Sequence, residues 1–432
     1  MSCDLFVFAG EKSGDLHGEK LLQALLAQNP SLKIAGVGGP KMRGQGMDCI
    51  LPMEEFQVMG FIDVFLKIFK LIRQFYFITK EIQRLKPKAV ITIDYPGFSL
   101  RLHKYLKKKG LPAKRIHFIC PSVWAWGKKR IPLMADTLDL LLCILPFETT
   151  LFTNTRLRAI YVGNPLIERI KTHIYKPLSS QHPLIALFPG SRKKEIERNL
   201  PLMLDACRAF SNFQIALSIS DEKLRPLILK HLKEKGWQER ELQNSRPLQK
   251  RPFEPGCNPA VSPTLLSMSS TAGLQPDSKS SILQEPGVLQ FPQEREVLLV
   301  PSELSYELMK AAHLAIAKSG TVTLELALHR VPTVVVYAVS PLDKIIAYDI
   351  LRIRLPFYCL VNIIAQKQLF TELIGPHFTL KNVRLNIEKL LDVAVRSTMQ
   401  RECDTLIKLL GDKNTSHDAA EEILSTLAKW RI

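Results

Sequence analysis

The stretch LIALFPGSRKKEIE, Leu184–Glu197, decides the fold. Five apolar residues of strand length run into Pro189-Gly190-Ser191-Arg192, and a Lys/Glu-rich helical pattern follows at once. A strand that ends in a glycine loop and a helix start offers an anion backbone N–H groups and a positive helix end. A guanidinium there can grip the anion in two places. The unit recurs in LAIAKSGTVTLELAL, Leu314–Leu328. There Ser319, Gly320 and Thr321 form the loop, and Glu325, four residues past Thr321, lies on the same helix side. Two anion loops, the cation Arg192 and a carboxylate that can accept both hydroxyls of a ribose point to a nucleoside diphosphate site.

Around these units, short β-branched runs alternate with helix-period segments. Leu5–Ala9, Lys33–Val37, Ala89–Ile93, Ile116–Ile119, Leu140–Leu145 and Ile160–Val162 read as strands of a first set. Leu184–Phe188, Ile215–Ile219, Val297–Val300, Leu314–Ala317 and Thr333–Tyr337 read as a second. Apolar strands joined by helical crossovers build parallel sheets, so the fold class is α/β, with two Rossmann-like domains facing each other across a cleft. The expected division is 1–175, 176–345 and a helical C-terminal segment 346–432. Ligands in such sheets sit beyond the carboxyl ends of the strands, where both glycine loops fall. The stretch 241–293 holds eight of the 28 prolines amid Ser, Gln and Gly, and reads as a disordered insertion in the second domain.

The chain has 432 residues, 46% of them apolar, enough for two well-packed cores. Its 59 basic against 41 acidic residues leave +18, a balance that favours polyanions without choosing among nucleic acid, phosphorylated substrates and anionic membrane. The eight cysteines are scattered, with no CxxC pair and no zinc-ligand spacing, so they read as buried thiols of a reducing compartment. A strand begins at the fourth residue with no leader pattern before it, and no apolar run is long enough to span a bilayer. The expectation is a soluble or peripheral protein.

In the first half, Asp94 closes a strand ahead of Tyr95-Pro96-Gly97 and is placed either as a general base at the cleft mouth or as a cap on the next helix. The loop AGEKSGD, Ala9–Asp15, reads as a ligand loop or a plain turn, with Ser13 or Asp15 capping the following helix. Trp124 and Trp126, beside Lys128, Lys129 and Arg130, can stack on a sugar and hold a phosphate, or simply anchor an apolar loop. Phe61, Phe65, Ile68, Phe69 and Ile72 lie on a helix-period stretch bordered by Lys67, Lys70 and Arg73. That stretch is either a core stripe or an interfacial membrane and acyl-chain surface. No D-x-D pair occurs, so protein cations and helix N-termini are expected to stabilise the diphosphate, with no metal and no cofactor.

The motifs AGEKSGDLHG, GVGGPKM, EEFQVMGFIDV, ITIDYPGF, PSVWAW, LPFE, GNPL, LFPGSRKKEIE and AKSGTVTLELAL, in this order, make the sequence resemble the lipid A disaccharide synthases. The similarity runs from about Leu5 to Ile374 and is broken by the Pro/Ser/Gln stretch. The resemblance implies a GT-B glycosyltransferase at the cytoplasmic face of the inner membrane. Such enzymes move a diacylated glucosamine from UDP to the 6-hydroxyl of diacylglucosamine 1-phosphate, with inversion. It implies Asp94 as the essential carboxylate and Glu11, Ser13, Arg192, Ser319, Thr321, Glu325 and Asn362 on the UDP side. Two departures stand out. Gly97 replaces a frequent acidic residue, and Asn164 replaces a frequent His, which removes a protonating group there. Another UDP-sugar enzyme of the same architecture shares the two glycine loops but has no use for PSVWAW or the aromatic helix. A nucleic-acid binder would use the charge and leave the loops unexplained.

Overall fold

The computed structural model describes residues 3–56, 64–125, 127–178, 180, 182–241, 295–339 and 355–429. The first half runs β1 (Leu5–Ala9), α1 (Lys12–Gln28), β2 (Ile34–Gly38), α2 (Pro40–Arg43), β3 (Asp48–Pro52), α3 (Val64–Leu85), β4 (Ala89–Ile93) and α4 (Pro96–Lys108). It continues through β5 (Lys114–Phe118), α5 (Arg130–Thr137), β6 (Leu140–Cys143) and β7 (Arg158–Tyr161). After α6 (Pro165–Lys171) come β8 (Leu184–Phe188), α7 (Lys193–Cys207), β9 (Gln214–Ile219), α8 (Arg225–Glu234), β10 (Trp237–Glu241) and β11 (Arg295–Pro301). Next are α9 (Ser305–Ala311), β12 (Ala312–Lys318), α10 (Thr321–Leu328), β13 (Thr333–Tyr337), α11 (Leu360–Ala365) and β14 (Thr371–Ile374). Three helices follow, α12 (Leu380–Leu391), α13 (Val393–Leu410) and α14 (Thr415–Ala428).

Two seven-stranded sheets result, ordered β3-β2-β1-β4-β5-β6-β7 and β10-β11-β9-β8-β12-β13-β14. Every strand pairing is parallel. Helical crossovers cover both faces, so the inner strands are buried along their whole length and their sequences are continuous apolar runs. The strand order reverses between β1 and β4 in the first sheet and between β8 and β12 in the second, where β11 is also inserted between β10 and β9. Such reversals open a crevice at the carboxyl ends of the two diverging strands.

Three strands escaped the sequence reading: β3, β10 and β14, all at sheet edges. β14 lies within the mostly helical final segment and extends the second sheet beside β13. The Pro/Ser/Gln stretch lies outside the described residues, apart from Glu241 at the end of β10.

The halves are joined by a shared apolar cluster in which Leu145 and Ile167 pack with Leu324, Val335, Phe370, Cys403 and Leu406. The last helix returns to the first sheet. Ala419, Ala420 and Ile423 of α14 complete the cluster built on Leu21, Leu22 and Leu25 of α1. Tyr161 donates to the Leu410 carbonyl at 2.6 Å, and Arg158 pairs with Glu422, fixing that return.

Candidate functional site

At the first reversal, the loops after β1 and β4 bring Glu11, Ser13 and Asp94 together. Asp94 and Tyr95 both adopt left-handed backbone, with φ of 51° and 53°. Such conformations cost about 1–2 kcal/mol per non-glycine residue, so the surroundings must impose them. They do. The Asp94 N–H donates to the Phe118 carbonyl at 3.0 Å, and Ser99 donates its hydroxyl to the Asp94 carbonyl at 2.8 Å. The Tyr95 ring packs near Phe8 and Phe98, themselves stacked at 4.6 Å. Gly10 is required here, because a Cβ would lie 2.9 Å from the Tyr95 ring.

Burial raises the Asp94 carboxyl above its ordinary range, while the Tyr95 N–H and the Ser13 hydroxyl pull it back. Glu11 is raised by desolvation and then by the Asp94 charge. The result is a carboxylate pair biased towards holding a proton. Asp15 does not cap α1. It is buried and turned to α2, where its carboxylate accepts from the N–H groups of Gly39 (2.8 Å), Met42 (3.1 Å) and Lys41 (3.2 Å). Glu11 holds the N-cap position of α1 without a side-chain cap bond.

Beneath this turn, Thr92 Oγ1 lies 2.8 Å from His103 Nε2 and 2.7 Å from His117 Nδ1, all three side chains fully buried. Burial holds His117 down to about 4 and His103 well below its ordinary value, so both rings are neutral.

At the second reversal, the loops after β8 and β12 open on one cleft of about 560 Å³. It is lined by Pro189, Gly190, Ser191, Arg192, Gly320, Thr321 and Glu325, together with Arg169, Glu195, Tyr306 and Lys318. The Glu195 carboxylate accepts from the Ser191 N–H at 3.0 Å and lies against Gly190, whose φ of 129° suits only glycine. Glu325 Oε1 accepts from the Tyr306 hydroxyl at 3.0 Å and from Arg169, whose Nε donates to the same hydroxyl at 2.6 Å. Burial raises Glu325, and Arg169 and Tyr306 counter it. Arg169 also reaches the first half. Burial, followed by the charges of Arg169 and Lys20, holds His17 of α1 down to about 4. Arg169, Tyr306, Glu195 and Lys318 were missed in the sequence as site residues. Glu195 and Lys318 carried a signal, since each stands inside one of the two glycine-loop motifs.

The remaining candidates lie elsewhere. Ser319 gives its hydroxyl to the Tyr358 carbonyl. Asn362 is fully buried: its amide donates to the Phe370 carbonyl and Glu372, and its oxygen accepts from Leu369 and Phe370 N–H. In this arrangement it fastens α11 to the strand β14. Asn164 caps α6 through the Leu166 N–H and donates to the Ile144 carbonyl. Trp124 packs edge-on against Phe147 at the seam between the halves, and Lys128 and Lys129 are exposed. None of Trp124, Lys128, Lys129 and Arg130 lines the cleft, and Trp126 lies outside the described residues.

α3 has a buried apolar face, as the core reading expected, and an exposed apolar face opposite it. Ile78, Ile82 and Leu85 are buried, with Leu71 and Phe75 packed against the same cluster. Phe69, Ile72, Tyr76 and Phe77 are exposed, Phe69 by 65%. Phe61 lies outside the described residues, and Phe65 and Ile68 are described only as helix backbone. Among the described residues, no helix is long and apolar enough to cross a membrane.

One buried group, Cys120, Cys143 and Glu148, has ligand-type atoms within 4.8 Å of one another. Burial pushes Glu148 up to about 8, and the Cys143 contact followed by burial pushes the Cys120 thiol up. That chemistry favours a protonated packing cluster.

A family model described as lipid-A-disaccharide synthetase matches residues 5–249 and 278–424. The unmatched residues 250–277 fall inside the Pro/Ser/Gln stretch. The chain is 34% identical to the lipid-A-disaccharide synthase of Chlamydia pneumoniae over 98% of its own length, and spans 62% of that relative. It is 30% identical to the one from Gluconobacter oxydans, over 98% of this chain and 90% of that one. Among solved structures, a putative UDP-N-acetylglucosamine 2-epimerase from Listeria monocytogenes matches with a TM-score of 0.57 at 11% identity, over 99% of this chain and 96% of that one. A glycosyltransferase from Rickettsia africae matches at 0.52 and 10%, over 100% and 99%. With the two parallel sheets, these likenesses show the GT-B fold and nothing about chemistry.

Proposed function

Because this chain belongs to the lipid-A-disaccharide synthetase family, we propose that it is an inverting glycosyltransferase of lipid A biosynthesis. It moves 2,3-diacylglucosamine from UDP to the 6-hydroxyl of 2,3-diacylglucosamine 1-phosphate, giving the disaccharide 1-phosphate and UDP. The observation that carries the reading is the pairing of two sheet reversals. One bears a strained carboxylate, Asp94, and the other a cleft with Arg192, Gly320, Thr321 and Glu325.

In this mechanism Asp94 takes the proton of the 6-hydroxyl as its oxygen bonds to the anomeric carbon. On the opposite face, the bond from that carbon to the diphosphate oxygen breaks, and its electron pair leaves with UDP. A base works best with a pKa near the working pH, and burial moves Asp94 in that direction. Arg192 and the N–H groups at the start of α10 meet the charge growing on the diphosphate, and Glu325 accepts the ribose hydroxyls. Glu11 and Ser13 complete the site through Asp94, Ser319 shapes the second loop, and Asn362 holds the segment beside it. Lys128, Lys129 and Arg130, beside the tryptophans at 124 and 126, receive the acceptor phosphate.

Acylated substrates reside in a bilayer, and the exposed face of α3 together with the net +18 supports peripheral binding to the anionic inner face of the inner membrane. The test is a mixed-micelle assay with UDP-diacylglucosamine and labelled diacylglucosamine 1-phosphate. A disaccharide product that disappears in Asp94→Asn is expected. Turnover of an unacylated UDP-sugar in its place would move the chain to an epimerase-type activity.

A further inference from the structure

Arg192 is the diphosphate cation read from the first glycine loop, and its side chain is 83% exposed. Across the cleft Lys318, at the end of β12, is only 17% exposed. Its ammonium lies 3.0 Å from Glu195 Oε1 and 5.3 Å from the centre of the Tyr337 ring. Arg192 Nη1 lies 3.5 Å from the same Glu195 oxygen. One carboxylate therefore holds a cation from each glycine loop, and its other oxygen accepts the Ser191 N–H of the first loop. Both cations and that N–H line the cleft.

We infer that Lys318 is a second diphosphate-binding cation, facing Arg192 across the shared carboxylate of Glu195. The inference rests on the nucleotide reading of the cleft and names a residue that reading did not include. The physical case has three parts. A nucleoside diphosphate carries more charge than one guanidinium can match, and the charge grows as the sugar leaves. An ammonium has three N–H donors, and Glu195 engages one direction only. An exposed arginine must lose rotamer freedom to bind, whereas a lysine already held by a carboxylate and an aromatic face is preorganised. Glu195 thus sets the spacing between the two cations.

Calorimetric titration with UDP and with uridine, on wild type, Lys318→Gln and Lys318→Arg, tests this. Uridine keeps the base and ribose and lacks the diphosphate, so it reports the integrity of the cleft in every variant. Loss of one charge-assisted hydrogen bond should weaken UDP in Lys318→Gln by roughly ten- to a hundredfold. Uridine affinity should stay within about twofold, and Lys318→Arg, which keeps a cation at this position, should lose less UDP affinity than Lys318→Gln. Equal weakening of UDP and uridine would show that Lys318 acts by packing alone and would overturn the inference. So would unchanged UDP affinity in Lys318→Gln. A wild type with no affinity for UDP would instead remove the nucleotide reading itself, and this inference with it.

Discussion

Acidification should loosen the turn that carries Asp94, because of the two histidines bridged by Thr92. His117 is fully buried, and its folded-state value is held down to about 4, against 6.5 when exposed. Above pH 6.5 both states are neutral and the pair costs nothing. Below it, the unfolded chain binds a proton that folded His117 refuses, so stability falls until the pH reaches about 4. The full loss is about 3 kcal/mol, and at pH 5 about 2 kcal/mol has gone, a factor of roughly thirty. His103 is shifted the same way and adds to it. Hydrogen exchange read by mass spectrometry on peptides covering Ala89–Ile93 and Lys114–Phe118 measures this locally, after correction for intrinsic exchange. Between pH 7.5 and 5 the wild type should lose about thirtyfold more protection than His117→Gln, which cannot titrate. Superimposable losses in the two proteins would show that His117 titrates normally in the folded state, and the reasoning would fail.

Asp94→Asn should keep the fold and lower turnover by about 10²–10⁴-fold, the usual contribution of a general base; near wild-type turnover would remove Asp94 from that role. Arg169→Gln removes one of the groups that lower Glu325, so the carboxyl will take a proton at higher pH. UDP affinity measured from pH 8 to 5 should then fall earlier than in wild type, and identical profiles would refute the link. Phe69→Glu and Tyr76→Glu should weaken partition onto anionic vesicles and raise the apparent KM for acylated substrates, whereas unchanged partition would exclude this face from the membrane. Asp15→Ala leaves the N–H groups of Gly39, Lys41 and Met42 at the start of α2 without their acceptor and should cost about 1–3 kcal/mol, seen as a lower urea midpoint of the first half.

What the sequence made legible follows from how each part is buried. The inner strands are enclosed on both faces, so Leu5–Ala9, Ala89–Ile93 and Leu184–Phe188 stand out as unbroken apolar runs. The edge strands carry no such mark. Trp237–Glu241 is mostly charged, and Asp48–Pro52 is half exposed. The two glycine loops were readable as turns because each follows directly on an apolar strand and precedes a helical pattern. Arg169 was not, because its partners Tyr306 and Glu325 lie 137 and 156 residues away, and only the fold brings them together. Asp15 misled for a similar reason. It sits where a cap for its own helix is expected, yet its acceptors serve a helix two elements later.

The return of α14 to α1 also sets an order of events in synthesis. Leu21, Leu22 and Leu25 leave the ribosome early, but Ala419, Ala420 and Ile423 arrive only after the second half has been made. During translation the first half must wait with an uncovered apolar stripe, a natural ligand for chaperones and a hazard if translation stops early. The same closure means that the polypeptide passes between the halves twice, once near α6 and once ahead of α14. A doubled tether of this kind limits how far the halves can part.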